Sequence, residues 1–177
     1  NTVAIVLGSQ LTDLMLLKST DAGVNWTKTI IYRNPCPMLD LDGTQPSDSD
    51  LDGIVDTLDG HAGDAAILID ENDECHVTFS DFRWYYDAGT PGSYNYFPST
   101  DGLEYWNETM GQNGYVPIAF AEDLNGNGEL DVPLDETCEA VGLRWGSYRG
   151  GITGMPSMSL GSNGEIIVSY QTINELA

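Results

Sequence analysis

The sequence predicts an all-β chain built from antiparallel four-stranded units, and three observations carry that reading. Short runs of alternating or apolar residues recur along the chain, separated by turn residues. The composition suits a globular β protein, with 20 Gly, 9 Tyr and 4 Trp beside many Val and Ile in 177 residues. Two kinds of sequence unit repeat at corresponding places. No convincing long helix stands out.

The expected strands follow in order. Residues 2–7 and 14–18 form the first two runs, and 26–33 follows a Gly-containing turn. After an acidic gap come 65–70 and 75–82, joined by Glu71-Asn72-Asp73-Glu74. Residues 94–99 and 103–109 form a further expected pair. After a second acidic gap, 156–160 and 165–171 are joined by Gly161-Ser162-Asn163-Gly164, a hairpin turn that tolerates positive φ.

The repeats organise these strands. Ser19-Thr20-Asp21-Ala22-Gly23-Val24-Asn25-Trp26 and Ser99-Thr100-Asp101-Gly102-Leu103-Glu104-Tyr105-Trp106 share Ser-Thr-Asp at the start and Trp at the end. A second repeat pairs the segment from Gly63 to Asp70 with that from Gly154 to Gly161, each followed by a turn and another strand. The order is strand, turn, strand, strand, Ser-x-Asp turn, strand, which is a four-stranded meander and the unit of a propeller blade.

The first unit, Ser19-x-Asp21-x-Gly23-x-x-Trp26, resembles the Asp-box (BNR repeat) of sialidase-type β-propellers as a full match. The second is a degenerate copy, with Gly102 one place early and Leu103 where Gly is expected. The resemblance implies a turn between the third and fourth strands of each blade, on the rim away from the active face, and structural roles for the box residues. A short Asp side chain accepts backbone amides, Gly supplies a conformation closed to other residues, and Trp covers apolar area while its ring N–H finds an acceptor.

The fold class expected is therefore all-β, with antiparallel four-stranded blades of a partial β-propeller and long calcium-binding insertions. A partial blade with its Asp-box covers 1–33 and an acidic calcium-loop insertion 34–62. A complete blade with the degenerate box covers 63–121, a second acidic insertion 122–140, and a linker with a partial blade 141–177. Such a piece cannot close a ring, so the remainder of a larger propeller chain or assembly is an expected partner. A small sandwich using the same strands is the alternative architecture.

The acidic gaps carry the candidate sites. The net charge is −22, from 28 acidic and 6 basic residues, much of it within 40–64 and 122–139. That excess argues against nucleic acid and against an anionic membrane surface as partners. No apolar run is long enough to span a bilayer. The chain opens without Met or a signal peptide, as a mature or internal piece would.

Asp48, Asp50, Asp52, Ile54 (through its carbonyl) and Asp56 have the spacing of a loop that curls around a hard cation, with Gly53 at the sharp turn and Asp59 at the twelfth place. Asp123, Asn125, Asn127, Glu129 and Asp131 repeat the spacing with two amides. There the twelfth place is Leu134, so Asp135 or Glu136 would close the site. Both loops resemble the calcium loops of dockerins and thrombospondin type 3 repeats, and calcium is the expected cofactor. Asp40 and Asp42 are candidates for an additional ion. A solvated acidic surface or linker is the plainer reading. Neither loop shows the exit helix of an EF-hand, which points to a static structural ion.

Catalytic motifs are sparse. Arg33, Arg83, Arg144 and Arg149 are the available guanidinium groups, with Tyr85, Tyr86 and Tyr148 near two of them, but the Arg-Ile-Pro motif of sialidases is absent. His61 and His76 are isolated, and His76 falls in a strand. The aromatic stretch from Trp84 to Phe97 reads as blade core plus an exposed loop rather than a sugar platform. Asn25-Trp26-Thr27 and Asn107-Glu108-Thr109 fit the glycosylation sequon. Cys36, Cys75 and Cys138 match no zinc or redox spacing, and the odd count leaves at least one unpaired. The functional expectation is a non-catalytic, calcium-stabilised extracellular or cell-surface module that binds a glycan or protein or serves assembly. The alternative is a segment of a sialidase-like or other glycoside hydrolase whose catalytic residues lie elsewhere.

Overall fold

The computed structural model describes residues 1–35, 48, 51–87, 90, 92–97, 100–127 and 151–173. Among them the fold is all-β and antiparallel, with ten strands and no helix. The first sheet holds β1 (Val3–Leu7), β2 (Leu14–Ser19) and β3 (Thr27–Tyr32) in chain order. The second is a meander of β4 (Leu58–Ile69), β5 (Cys75–Tyr86), β7 (Leu103–Asn107) and β8 (Val116–Ala119), with β6 (Tyr94–Tyr96) added along the far half of β5. A separate hairpin joins β9 (Gly154–Leu160) to β10 (Ile166–Gln171). None of these sheets closes on itself.

Alternation along the strands places the core. Val77 and Phe79 of β5 sit on one face with Trp106 of β7. They meet Leu14, Leu16 and Ile31 of the first sheet in one cluster, all buried to 1% exposure or less. Each such side chain stabilises the fold by about 1.5–3 kcal/mol relative to exposure. The opposite face of β5 meets the β9–β10 hairpin. There Asp64 Oδ2 accepts the Met155 amide at 2.6 Å and the Ser80 hydroxyl at 2.7 Å. A Cβ on Gly154 would lie 2.7 Å from Ser80 Oγ, so glycine permits the approach. The repeated segments beginning at Gly63 and Gly154 thus touch each other in space.

Three expectations need correction. Of the stretch 94–99, the described strand Tyr94–Tyr96 does not pair with 103–109. Instead β6 pairs with β5 (Trp84↔Tyr96, Tyr86↔Tyr94), and β7 lies between β5 and β8. The cause is that β5 runs on to Tyr86 and offers its far half to β6. Next, β4 begins at Leu58, inside the stretch assigned to the first acidic insertion. A bulge between His61 and Ala65 lets it carry Gly63 and Asp64, just ahead of the expected strand at 65–70. Finally, the unit from Ser99 to Trp106 does not join paired strands: in chain order it falls between β6 and β7, which both pair with β5. Its second half is β7 itself, and the β7–β8 turn falls at 108–115. Ser99 lies outside the described residues.

Candidate functional site

The two strand ends of the first and second sheets differ in chemistry. At the β2–β3 end, Asp21 Oδ1 accepts the Ser19 hydroxyl at 2.8 Å and the amides of Val24 and Asn25 at 3.1 and 2.8 Å. The Ser19 hydroxyl oxygen accepts the Gly23 amide at 2.8 Å, and Trp26 Nε1 donates to the Gly23 carbonyl at 2.9 Å. Ala22 and Gly23 have φ of 61° and 89°, and the glycine relieves the more extreme of the two. The Asn25 backbone amide, then the side chains of Asn25 and Ser19, hold the Asp21 carboxyl down at about 2. The β4–β5 turn repeats the device, with Asp70 Oδ1 accepting the amides of Asn72 and Glu74 at 2.9 and 2.8 Å. Lys18 joins these turns, donating to the Asp73 carbonyl at 2.5 Å and to Glu108 at 2.6 Å.

At the other end of the strands lies a cleft of about 570 Å³. Thr57, Asp59 and Gly60 line it from the start of β4, and Asp81, Phe82 and Arg83 from β5. Phe97, Thr100, Asp101, Glu104 and Tyr115 complete the wall. The register explains the gathering. Asp59 is opposite Arg83 and His61 opposite Asp81, while Phe79 is opposite Glu104. Side chains two apart share a face, so Asp81 and Arg83 continue the apolar row of Val77 and Phe79.

Burial dominates the electrostatics here. It pushes the Asp81 carboxyl up to about 6, with the charges of Asp59 and Asp101 adding to the rise and Arg83 opposing it. Burial, then the Asp81 charge, pushes Glu104 up to about 7. Tyr115 is raised by burial and by the nearby carboxylates. Glu104 is only 5% exposed, and its Oε2 has no hydrogen-bond partner among the described residues. Asp101 uses Oδ2 to accept the Ala121 amide at 2.8 Å, while its Oδ1 has none. Gly102, misplaced for a box, has a spatial reason. It has φ of 151°, and a Cβ there would lie 2.5 Å from Asp81 Oδ2.

The expected calcium ligands are partly in view. Asp48 Oδ1 accepts the Asp52 amide at 3.2 Å and its Oδ2 accepts the Gly53 amide at 2.9 Å. Asp52 Oδ1 accepts the Ile54 amide at 2.7 Å. Leu51 and Gly53 take φ of 61° and 88°. The loop therefore curls over its first aspartate. Asp56 lies just before β4, but Asp59 is in β4, with its Oδ1 2.7 Å from Arg83 Nε. In the second loop Asp123 Oδ1 accepts the Gly126 amide at 2.6 Å, and Asn125 Oδ1 accepts the Asn127 amide at 2.9 Å. Asp40, Asp42, Asp50, Glu129, Asp131, Asp135 and Glu136 lie outside the described residues. Among the described residues no three His, Cys, Asp or Glu side chains group as a metal-ligand set. Both loops adjoin the cleft. The first ends at its wall with Thr57 and Asp59, and the second begins just past Ala121, which is bonded to Asp101.

Other candidates are structural. Arg33 Nη1 lies 2.7 Å from Asp13. Arg144, Tyr148 and Arg149 lie outside the described residues. His61 is fully buried with Nε2 3.0 Å from the Thr12 carbonyl, and burial pulls its pKa down. His76 stacks on Tyr105, with Nδ1 2.7 Å from the Tyr105 hydroxyl. Trp84 and Tyr86 are core, packed with Tyr94 and Tyr96. The asparagines of both sequons serve their turns, Asn25 by donating to Asp21 and Asn107 by accepting from Thr109. Cys75 is a buried free thiol whose pKa burial pushes up to about 11, whereas Cys36 and Cys138 lie outside the described residues. No protein-family model, curated protein or solved structure matches the chain.

Proposed function

We propose that this chain is a calcium-stabilised, non-catalytic β-propeller module of an extracellular or cell-surface protein, serving binding or assembly as part of a larger propeller. The carrying observation is the pair of acidic loops. Each places carboxylates or amides at alternate positions, and each turns back on its first aspartate, Asp48 accepting the amides of Asp52 and Gly53 and Asp123 that of Gly126. A hard cation that takes six to eight oxygens suits such a loop and offsets the repulsion among its carboxylates. The larger-assembly half of the reading is supported by β1. Its Ala4 and Val6 pack on the core, while Val3, Ile5 and Leu7 on the other face are apolar and exposed. The non-catalytic half is supported by the arginines, because Arg33 and Arg83 each already pair with an aspartate.

Calcium binding is tested by thermal melting with calcium and with chelator, beside calorimetric titration of the apo chain. Chelation is expected to lower Tm by several degrees, with calcium restoring it. An unchanged Tm, together with no calcium heat in the titration, would sink the calcium reading. Substituting Asp48→Asn should reduce the calcium-dependent part of the shift.

A further inference from the structure

We propose that the cleft between β4, β5 and β7 is a binding site for an organic cation, an ammonium or guanidinium group on a short apolar stem, received by Glu104 and Asp101 and flanked by Tyr115 and Phe97. This rests on the binding-module reading and names the ligand class at a cleft that the first acidic loop only borders, through Thr57 and Asp59. Glu104 is more than nine-tenths buried, lines the cleft, and leaves Oε2 without a donor among the described residues. Asp101 Oδ1 is buried in the same condition. A buried carboxylate oxygen without a donor is costly, so the arrangement favours a ligand that brings N–H groups.

Charge and shape narrow the class. The wall holds four carboxyl groups and one guanidinium, and that guanidinium is engaged by Asp59. An anionic ligand would face uncompensated repulsion from Asp81, Asp101 and Glu104. A bare metal ion is disfavoured by spacing, since no three of the described acidic groups gather as a ligand set. An extended cation can reach separated acceptors, and rings beside it add attraction to the positive charge. A cleft of about 570 Å³ falls within the span of small-molecule pockets and also admits an arginine or lysine side chain with its neighbours.

The test is calorimetric titration of the full chain in calcium buffer at about 0.15 M salt. One probe is spermidine, a free amine; the other is a blocked arginine amide, which mimics a partner's side chain. The chain's net charge of −22 attracts any cation diffusely, so Glu104→Gln is compared with Glu71→Gln, an equal charge loss on the exposed turn at the opposite strand end. Saturable one-to-one binding is expected, weakened by about tenfold or more in Glu104→Gln and Asp101→Asn. Glu71→Gln is expected to change it by less than about twofold. The tighter of the two probes identifies the source of the cation. Equal weakening by Glu104→Gln and Glu71→Gln would overturn the proposal, as would saturable binding of a neutral trisaccharide with no binding of either cation. Circular dichroism of both variants separates loss of binding from loss of fold. Failure of the calcium reading shows separately, as a Tm that chelator does not move.

Discussion

The turn end and the cleft end of the first two sheets use their carboxylates in opposite ways. At the turn end, Asp21 and Asp70 are ringed by amide donors, and their carboxyls are pulled below the ordinary range. At the cleft end, burial pushes the carboxyls of Asp81 and Glu104 above it, and Glu104 Oε2 has no donor among the described residues. An Asp that accepts several backbone amides serves the fold. A carboxyl held in a cleft without such donors weakens the fold, and a ligand is what would make use of it. The comparison therefore separates carboxylates held by backbone amides from carboxylates raised by burial.

Removing charge should stabilise one end and destabilise the other. Glu104→Gln carries the largest expected effect. The carboxyl of folded Glu104 sits near 7 against an ordinary 4.5. Its penalty is absent below the unfolded pKa, grows as pH rises between the two values, and is complete above the folded one. The substitution should add about 2 kcal/mol at about pH 8 and almost nothing at about pH 4, measured by denaturant unfolding. Asp81→Asn should follow with about 1 kcal/mol at about pH 8, its window running from 3.8 to about 6. A loss of stability at high pH in both variants would break the comparison at the cleft end. The smallest effect is expected at the turn end, with opposite sign. Asp21→Asn should lower Tm modestly near neutral pH, because the folded carboxyl at about 2 lies below its ordinary 3.8. That contribution is present above the unfolded pKa and disappears as pH falls through the folded one, so the two proteins should converge in acid.

Most strands were legible because their periodicity is local. Residues 3–7, 14–19, 27–32 and 166–171 alternate or run apolar between turn residues, and the structure keeps them within a residue or two. β8 went unread because Val116-Pro117-Ile118-Ala119 is short and carries a proline. The start of β4 was hidden by Asp59, Gly60, Gly63 and Asp64, which belong to turns by composition and to a bulged strand by pairing.

The acidic loops stood out in the sequence because their carboxylates and amides lie at alternate positions of one short stretch. The cleft did not, because Asp59, Asp81, Asp101 and Glu104 are brought together by strand register across more than forty residues. One signal was available. A carboxylate at the inward phase of an apolar strand, as in Val77-x-Phe79-x-Asp81 and Glu104-x-Trp106, is out of place unless the site uses it.

The most direct measurement is the site-resolved titration of side-chain carboxyls by NMR on the labelled chain. The expected midpoints are about 7 for Glu104, about 6 for Asp81 and about 2 for Asp21. Glu104 and Asp81 titrating together with the exposed carboxylates, in the ordinary range, would contradict the division between the turn end and the cleft end.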